Sequence, residues 1–292
     1  MSERALVAGT VQPLLDEVEL RIRSLLAGFA EGDRWAALRA RYVLPSVGHL
    51  FQHQGKLLRP LLVLLGAGAC GGPAHARPGG GHAALVHAAA AVELIHTASL
   101  AHDDMIDASD RRRGAPSLHV AHGSTTAILV GDLLYARFFE ELAALPGAEE
   151  KARLRLLTIF LGVTRRMCEG EILADQLRVE GTTPSSEAYL LVAEAKTAEL
   201  LSACCQAGAI LGGGAEPAVR ALADYGRSLG LLFQIADDLT DGDGTCEDRA
   251  ALEAAAEEHR RRTEATLAGF PHGDALDTLR ELPGRILAPS RA

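Results

Sequence analysis

Aromatic side chains are scarce in this 292-residue chain, 4% in all, and Val, Ile and Thr are sparse beside Ala and Leu. That balance argues against a core built from sheet and for one built from helices. A basic excess is missing too. The 29 Lys and Arg face 38 Asp and Glu, a net charge of −9, which is the reverse of a nucleic-acid binder. The five cysteines, Cys70, Cys168, Cys204, Cys205 and Cys246, form no CxxC pair and no zinc spacing. Their odd number, with no secretory segment in MSERALVAGTVQPLLDEVEL, leads us to expect reduced thiols and a cytoplasmic protein. Long apolar runs are interrupted: LLRPLLVLLGAGACGG by Arg59 and Pro60, HAALVHAAAAVELIHTASLAH by Glu93 and four histidines. Neither offers the roughly 20 clean apolar residues of a membrane span, so stable insertion is not expected. What remains, 48% hydrophobic and 23% charged, is ordinary globular material able to bury a core.

No period of about 20–50 residues repeats. One linker-like stretch, Gly71–Gly81, is too short to divide domains, and the other Gly and Pro clusters separate helical patterns. In Tyr189–Leu211, for example, Leu190, Ala193, Thr197, Leu200, Cys204 and Gly208 step along one face at three- and four-residue spacing. The expectation is a single all-α domain over 1–292 with any sheet incidental.

The chemistry sits where a core should be. The Ala-rich helical pattern ending His96-Thr-Ala-Ser-Leu-Ala-His102 runs into Asp103-Asp104-Met-Ile-Asp107, with Asp103 and Asp107 at i, i+4 on one face. Like charges at that spacing cost roughly 0.2–0.5 kcal/mol on an exposed helix. The pattern recurs as Asp237-Asp238-Leu-Thr-Asp241, again closing an apolar helix. A helix C-terminus carries partial negative charge, so acids there want a cation. Paired hard oxygen ligands suit Mg²⁺, which spends its other positions on water and substrate phosphate. Cations for an anionic ligand are at hand: Lys56 and Arg59 in GKLLRP, Arg111-Arg112-Arg113-Gly114 just past the first aspartates, and Lys196 in KTAEL, one of only three lysines. His102 beside Asp103 reads as a helix-packing residue, and Cys204-Cys205 as small core residues.

GKLLRP, ELIHTASLAHDDMIDASDRRRG, VGDLLYARF, EGE with Gln176, KTAEL and GLLFQIADDLTD occur in that order between Gly55 and Asp241. In sequence and spacing they resemble the trans-type polyprenyl (isoprenyl) diphosphate synthases of the isoprenoid synthase fold. That resemblance implies a helical bundle around a central cavity and a homodimer. It also implies an Mg²⁺-dependent prenyltransferase that joins isopentenyl diphosphate to an allylic prenyl diphosphate. By position, Lys56, Arg59, His96 and Arg113 resemble the isopentenyl diphosphate site. Arg112, Lys196, Thr197 and Gln234 resemble the allylic side, and Asp103, Asp104, Asp107, Asp237, Asp238 and Asp241 the two metal motifs. Asp103, Asp107, Lys196 and Asp237 are the residues on which catalysis is expected to turn. The floor of the chain-elongation tunnel is expected at Ala98 and Ser99, small residues that imply a product of C20 or longer.

The resemblance breaks after Asp241. Relatives continue with Gly-Lys segments, one lysine of which reaches the allylic diphosphate, whereas here GDGTCEDRAALEAAAEEHRRR has no lysine. Arg249 or Arg260–Arg262 could substitute, though that run reads more simply as a solvated helix face. Two alternatives follow: a non-catalytic subunit that keeps the fold, and a class I terpene cyclase. The intact aspartate motifs oppose the first, and the second set of phosphate-binding cations opposes the second.

Overall fold

The computed structural model describes residues 11–287 apart from 53, 54, 56, 73–80, 182 and 242–247. Its order is α1 Gln12–Gly28, α2 Ala36–Tyr42, α3 Leu44–Phe51, α4 Leu58–Ala69 and α5 Gly81–Ile106, then the strands β1 Arg111–Arg112 and β2 Ala115–Pro116. There follow α6 Leu118–His122, α7 Ser124–Ala143, α8 Glu150–Glu180, α9 Ser186–Ala193, a π-turn Glu194–Ala198, α10 Glu199–Leu211, α11 Glu216–Asp241, α12 Arg249–Thr266 and α13 Asp274–Leu287. The all-α expectation is borne out, and the two short strands form one antiparallel hairpin.

Two helices are apolar nearly all round and are buried accordingly. α5 packs against α7, α4 and α1, and α10 against α11 and α4. By length and composition α5 could cross a membrane, the one such helix among the described residues, yet 72% of its apolar stretch is buried inside the bundle. Glu93 and the histidines lie within this one helix. The helix runs straight through them, because Glu93 is buried within the field of Arg59 and Arg113. The α4–α10 crossing is close because Gly66 lies under the Cys205 carbonyl, where an added Cβ would sit 2.6 Å from the oxygen. Buried Cys204 and Cys205 belong to this packed seam.

Of the face expected through Tyr189–Leu211, Ala193, Leu200, Cys204 and Gly208 are buried and Leu190 and Thr197 half-buried, and a π-turn, Glu194–Ala198, lies within it. One extra residue in a turn shifts the phase of everything beyond it, a common device at functional sites.

Candidate active site

α5 ends in the first aspartate motif with a Schellman cap. Ala108 takes φ 50°, its amide reaches the Met105 carbonyl at 3.4 Å, and the Ser109 amide reaches that of Asp104 at 2.9 Å. A left-handed alanine costs about 1 kcal/mol relative to glycine, so the turn that aims these aspartates is held under mild strain. The chain then makes a two-residue hairpin. Arg113 (φ 50°) and Gly114 (φ 81°) occupy its tip, as a tight turn with two positive φ angles requires. Ser117 closes the base, its amide 2.9 Å from the Asp110 carbonyl.

This hairpin returns Arg112 to α5. Its Nε and Nη2 both lie 2.7 Å from Asp104 Oδ1, and the Asp104 side chain is only 2% exposed. The three aspartates thus part company. Asp104 faces inward with its charge answered by arginine, Asp103 is partly buried at a cavity, and Asp107 is exposed. The Asp103 carboxyl is pushed up to about 6, first by burial and then by the neighbouring Glu171 and Asp107 charges, against the opposing pull of Lys196 and Arg112. An acid so disfavoured as an anion is one that a cation would relieve.

The cavity at Asp103, about 230 Å³, is walled by Ser99 and Ile106 of α5, Tyr135 of α7, Met167, Glu171 and Ile172 of α8, and Lys196. Ser99 lines this cavity, whereas Ala98 is fully buried and forms no part of its wall. His102 Nε2 lies 3.0 Å from the Ile128 carbonyl, and its ring fills the space in front of Gly131. It is the helix-packing histidine expected from the sequence.

On its other side Lys196 borders a second cavity, about 470 Å³, lined by Leu177, Val192, Tyr189, Gln234 and Asp238 among others. A hydrogen-bonded chain organises this wall. The Thr197 hydroxyl donates to Gln234 Oε1 at 2.8 Å, Gln234 Nε2 donates to Asp238 Oδ1 at 3.1 Å, and the Tyr189 hydroxyl donates to Asp238 Oδ2. Asp237 is exposed beside it. The Asp241 side chain, like all of Lys56, lies outside the described residues.

Arg59, His96 and Arg113 form a third group. Leu57 takes φ 50° at the start of α4, and Gly55 lies so close to the Arg113 guanidinium that any Cβ there would strike it. Burial holds Arg59 below its ordinary value, opposed by the charge of Glu93, and its Nε has no hydrogen-bond partner. His96 is driven well below 6.5, by burial first and then by Arg59, Arg113 and Arg112. The neutral imidazole is thereby favoured, and an anion placed among these cations would offset the effect.

The substitutes considered for the missing C-terminal lysine are engaged elsewhere. Arg249, Arg260, Arg261 and Arg262 pair with Glu253, Glu257, Glu258 and Glu264 on their own helix, a solvated face.

Sequence reasoning gave no role to Glu171, Tyr189 or Glu93. Glu171 had a signal, since it lies in the quoted Glu169-Gly170-Glu171. An added Cβ at Gly170 would sit 2.7 Å from that of Ala195, so α8 and the π-turn are pressed together there. Among the described residues no three His, Cys, Asp or Glu side chains converge tightly enough to hold a metal unaided. Mg²⁺ does not need such a cage, because it keeps water and substrate oxygens in its shell.

A profile of the family described as Polyprenyl synthetase matches residues 41–250. The chain belongs to that family. Polyprenyl synthetases with curated names are similar to it: a short chain isoprenyl diphosphate synthase of Methanothermobacter thermautotrophicus is 41% identical over 199 residues, 68% of this chain and 58% of that protein. An octaprenyl diphosphate synthase of Haemophilus influenzae is 39% identical over 203 residues, 68% and 57% of the two chains. The matches thus span less than three fifths of those relatives. Among solved structures, a polyprenyl synthase from Caulobacter crescentus, in complex with calcium and isoprenyl diphosphate, superposes with a TM-score of 0.75 at 27% identity, covering 97% of each chain. A geranylgeranyl pyrophosphate synthetase from Pyrococcus horikoshii reaches a TM-score of 0.80 at 23% identity, over 96% of this chain and 97% of that one, and shows the shared fold.

Proposed function

We propose that this polyprenyl synthetase is a magnesium-dependent prenyltransferase, joining isopentenyl diphosphate to an allylic prenyl diphosphate to give a trans-polyprenyl diphosphate. The observation that carries the reading is the arrangement about Lys196: an apolar cavity headed by Asp103 on one side, and a wall ending in Gln234 and Asp238 on the other. The names of the relatives, from short-chain to octaprenyl diphosphate synthase, support the same chemistry.

Asp103 and Asp107, with Asp237, Asp238 and Asp241, would hold the metal, and Asp104 serves by fixing Arg112 beside them. When bound, Mg²⁺ supplies positive charge against the diphosphate that leaves. Lys196 and Arg112 add their own charges to that leaving group. Ser99, Tyr135 and Met167, which line the Asp103 cavity, would shield the allylic cation formed as the carbon–oxygen bond breaks. Arg59, His96 and Arg113, with Lys56, position the diphosphate of isopentenyl diphosphate, whose double bond attacks that cation to form the new carbon–carbon bond. The proton then lost goes to the departing pyrophosphate.

The chain is read as one domain over 1–292, because one core cluster runs from Val11 to Leu282. A homodimer belongs to the proposal: exposed Leu154, Leu161, Cys168 and Ile172 line one face of α8, and Ile128 and Leu129 are exposed on α7. A product of C20 or longer is supported by Ser99 in the cavity wall. Ser99→Phe is expected to shorten the product, whereas Ala98→Phe would crowd a packed core.

The deciding assay uses purified protein, Mg²⁺, labelled isopentenyl diphosphate and farnesyl diphosphate. Label in an extractable product of C20 or longer is expected. An unlabelled hydrocarbon would identify a cyclase, and no turnover a non-catalytic subunit.

A further inference from the structure

Lys196, the cation shared by both cavities, is occupied. Its Nζ lies 2.7 Å from Glu171 Oε2, with the two side chains 31% and 17% exposed. The other carboxylates near the π-turn have other partners. Glu194 lies 2.7 Å from Arg227, and Glu199 is 3.6 Å from both Arg227 and Arg166. Glu171 is held on the opposite side by Gly170, whose missing side chain lets α8 press against Ala195 and Lys196. The pair therefore follows from the backbone packing of α8 on the π-turn, and it borders the same cavity as Asp103.

We propose that Glu171 is a positioning residue that parks the Lys196 ammonium until a metal-bound diphosphate arrives. The inference rests on the reading of this site as a diphosphate site. A diphosphate without metal must break the ion pair to reach Lys196, and it meets the carboxylates of Glu171 and Asp103 on the way. Mg²⁺ held by the aspartates would reverse the local charge, leaving Lys196 able to pass from Glu171 to the phosphate oxygens. Glu171 thereby makes capture of the anion conditional on the metal.

The test is calorimetric titration of the full chain with inorganic pyrophosphate, in EDTA and in Mg²⁺. A partly buried ion pair of this kind is worth about 1 kcal/mol, or about fivefold in affinity. Glu171→Gln is therefore expected to bind pyrophosphate about fivefold more tightly than wild type in EDTA. The difference should be smaller in Mg²⁺, and Glu171→Ala should show the same gain. Adding Lys196→Gln to Glu171→Gln should abolish the gain, which loss of packing at Glu171 alone would not do. Unchanged or weaker binding by Glu171→Gln in EDTA, alongside normal Mg²⁺-dependent binding, overturns the parking role and leaves the diphosphate site standing. Absence of pyrophosphate binding to wild type even in Mg²⁺ overturns both.

Discussion

The two aspartate motifs share a spacing, Asp-Asp-x-x-Asp, and differ in how the protein holds them. In the first, the middle residue Asp104 is buried and answered by the guanidinium of Arg112. In the second, the middle residue Asp238 is partly exposed and held by two neutral donors, Tyr189 and Gln234. One end is prepared by an ion pair to a guanidinium, and the other includes hydrogen bonds from a phenol and a side-chain amide.

The largest effect should be common to both motifs. Asp103→Ala and Asp237→Ala are each expected to lower prenyl transfer by at least about 100-fold, measured as label incorporated at saturating Mg²⁺. If only one of them does so, the motifs are not joint ligands. Stability should separate their neighbours. Asp104→Ala strands Arg112, which is 36% exposed and so partly rehydrates. We expect a loss of about 1–3 kcal/mol in urea unfolding. Asp238→Ala removes an acceptor whose neutral donors turn to water, and should cost about 1 kcal/mol or less. Equal losses would erase the distinction.

Much of this was legible in the sequence. The apolar helices, both aspartate motifs and the clusters of Lys and Arg beside them followed from composition and spacing, and the all-α fold with them. The inward turn of Asp104 was not read from the sequence, which grouped it with the other motif aspartates; in the structure it continues the buried face of Thr97 and Ala101 at three- and four-residue spacing. Other features were not legible. The π-turn changes helix phase without any residue type that announces it. The Lys196–Glu171 pair depends on how closely α8 approaches that turn, a tertiary distance. Of the adjacent small residues Ala98 and Ser99, helix phase decides which one faces the cavity, and that is Ser99.

The pH dependence of the metal-free protein should sharpen the contrast. Asp103 has its carboxyl raised from 3.8 to about 6, so below about pH 4 it is protonated folded or unfolded and contributes nothing. As pH rises toward 6 the unfolded chain ionises first and stability falls, with the full penalty present above that value. Asp103→Asn should therefore stabilise the metal-free protein by about 1–2 kcal/mol at pH 7.5, after allowance for partial exposure. The gain should disappear near pH 4. Mg²⁺ should raise the melting temperature of the wild type at pH 7.5 more than that of Asp103→Asn. A gain that persists unchanged at pH 4 would assign the effect to packing instead.

The smallest change tests the neutral side. Tyr189→Phe keeps the ring, which is 7% exposed, and removes the hydroxyl that donates to Asp238. Gln234 still donates to the other carboxylate oxygen, at 3.1 Å, so the cost should be about 0.5–1.5 kcal/mol, and Asp238 gains freedom to turn. If those neutral donors serve to aim the second motif at a metal, the loss should show in the Mg²⁺ concentration needed for half-maximal activity more than in the rate at saturating Mg²⁺. A fall in the saturated rate with no change in metal requirement would mean that the hydroxyl serves the chemistry itself. The two motifs would then differ in function as well as in the way they are held.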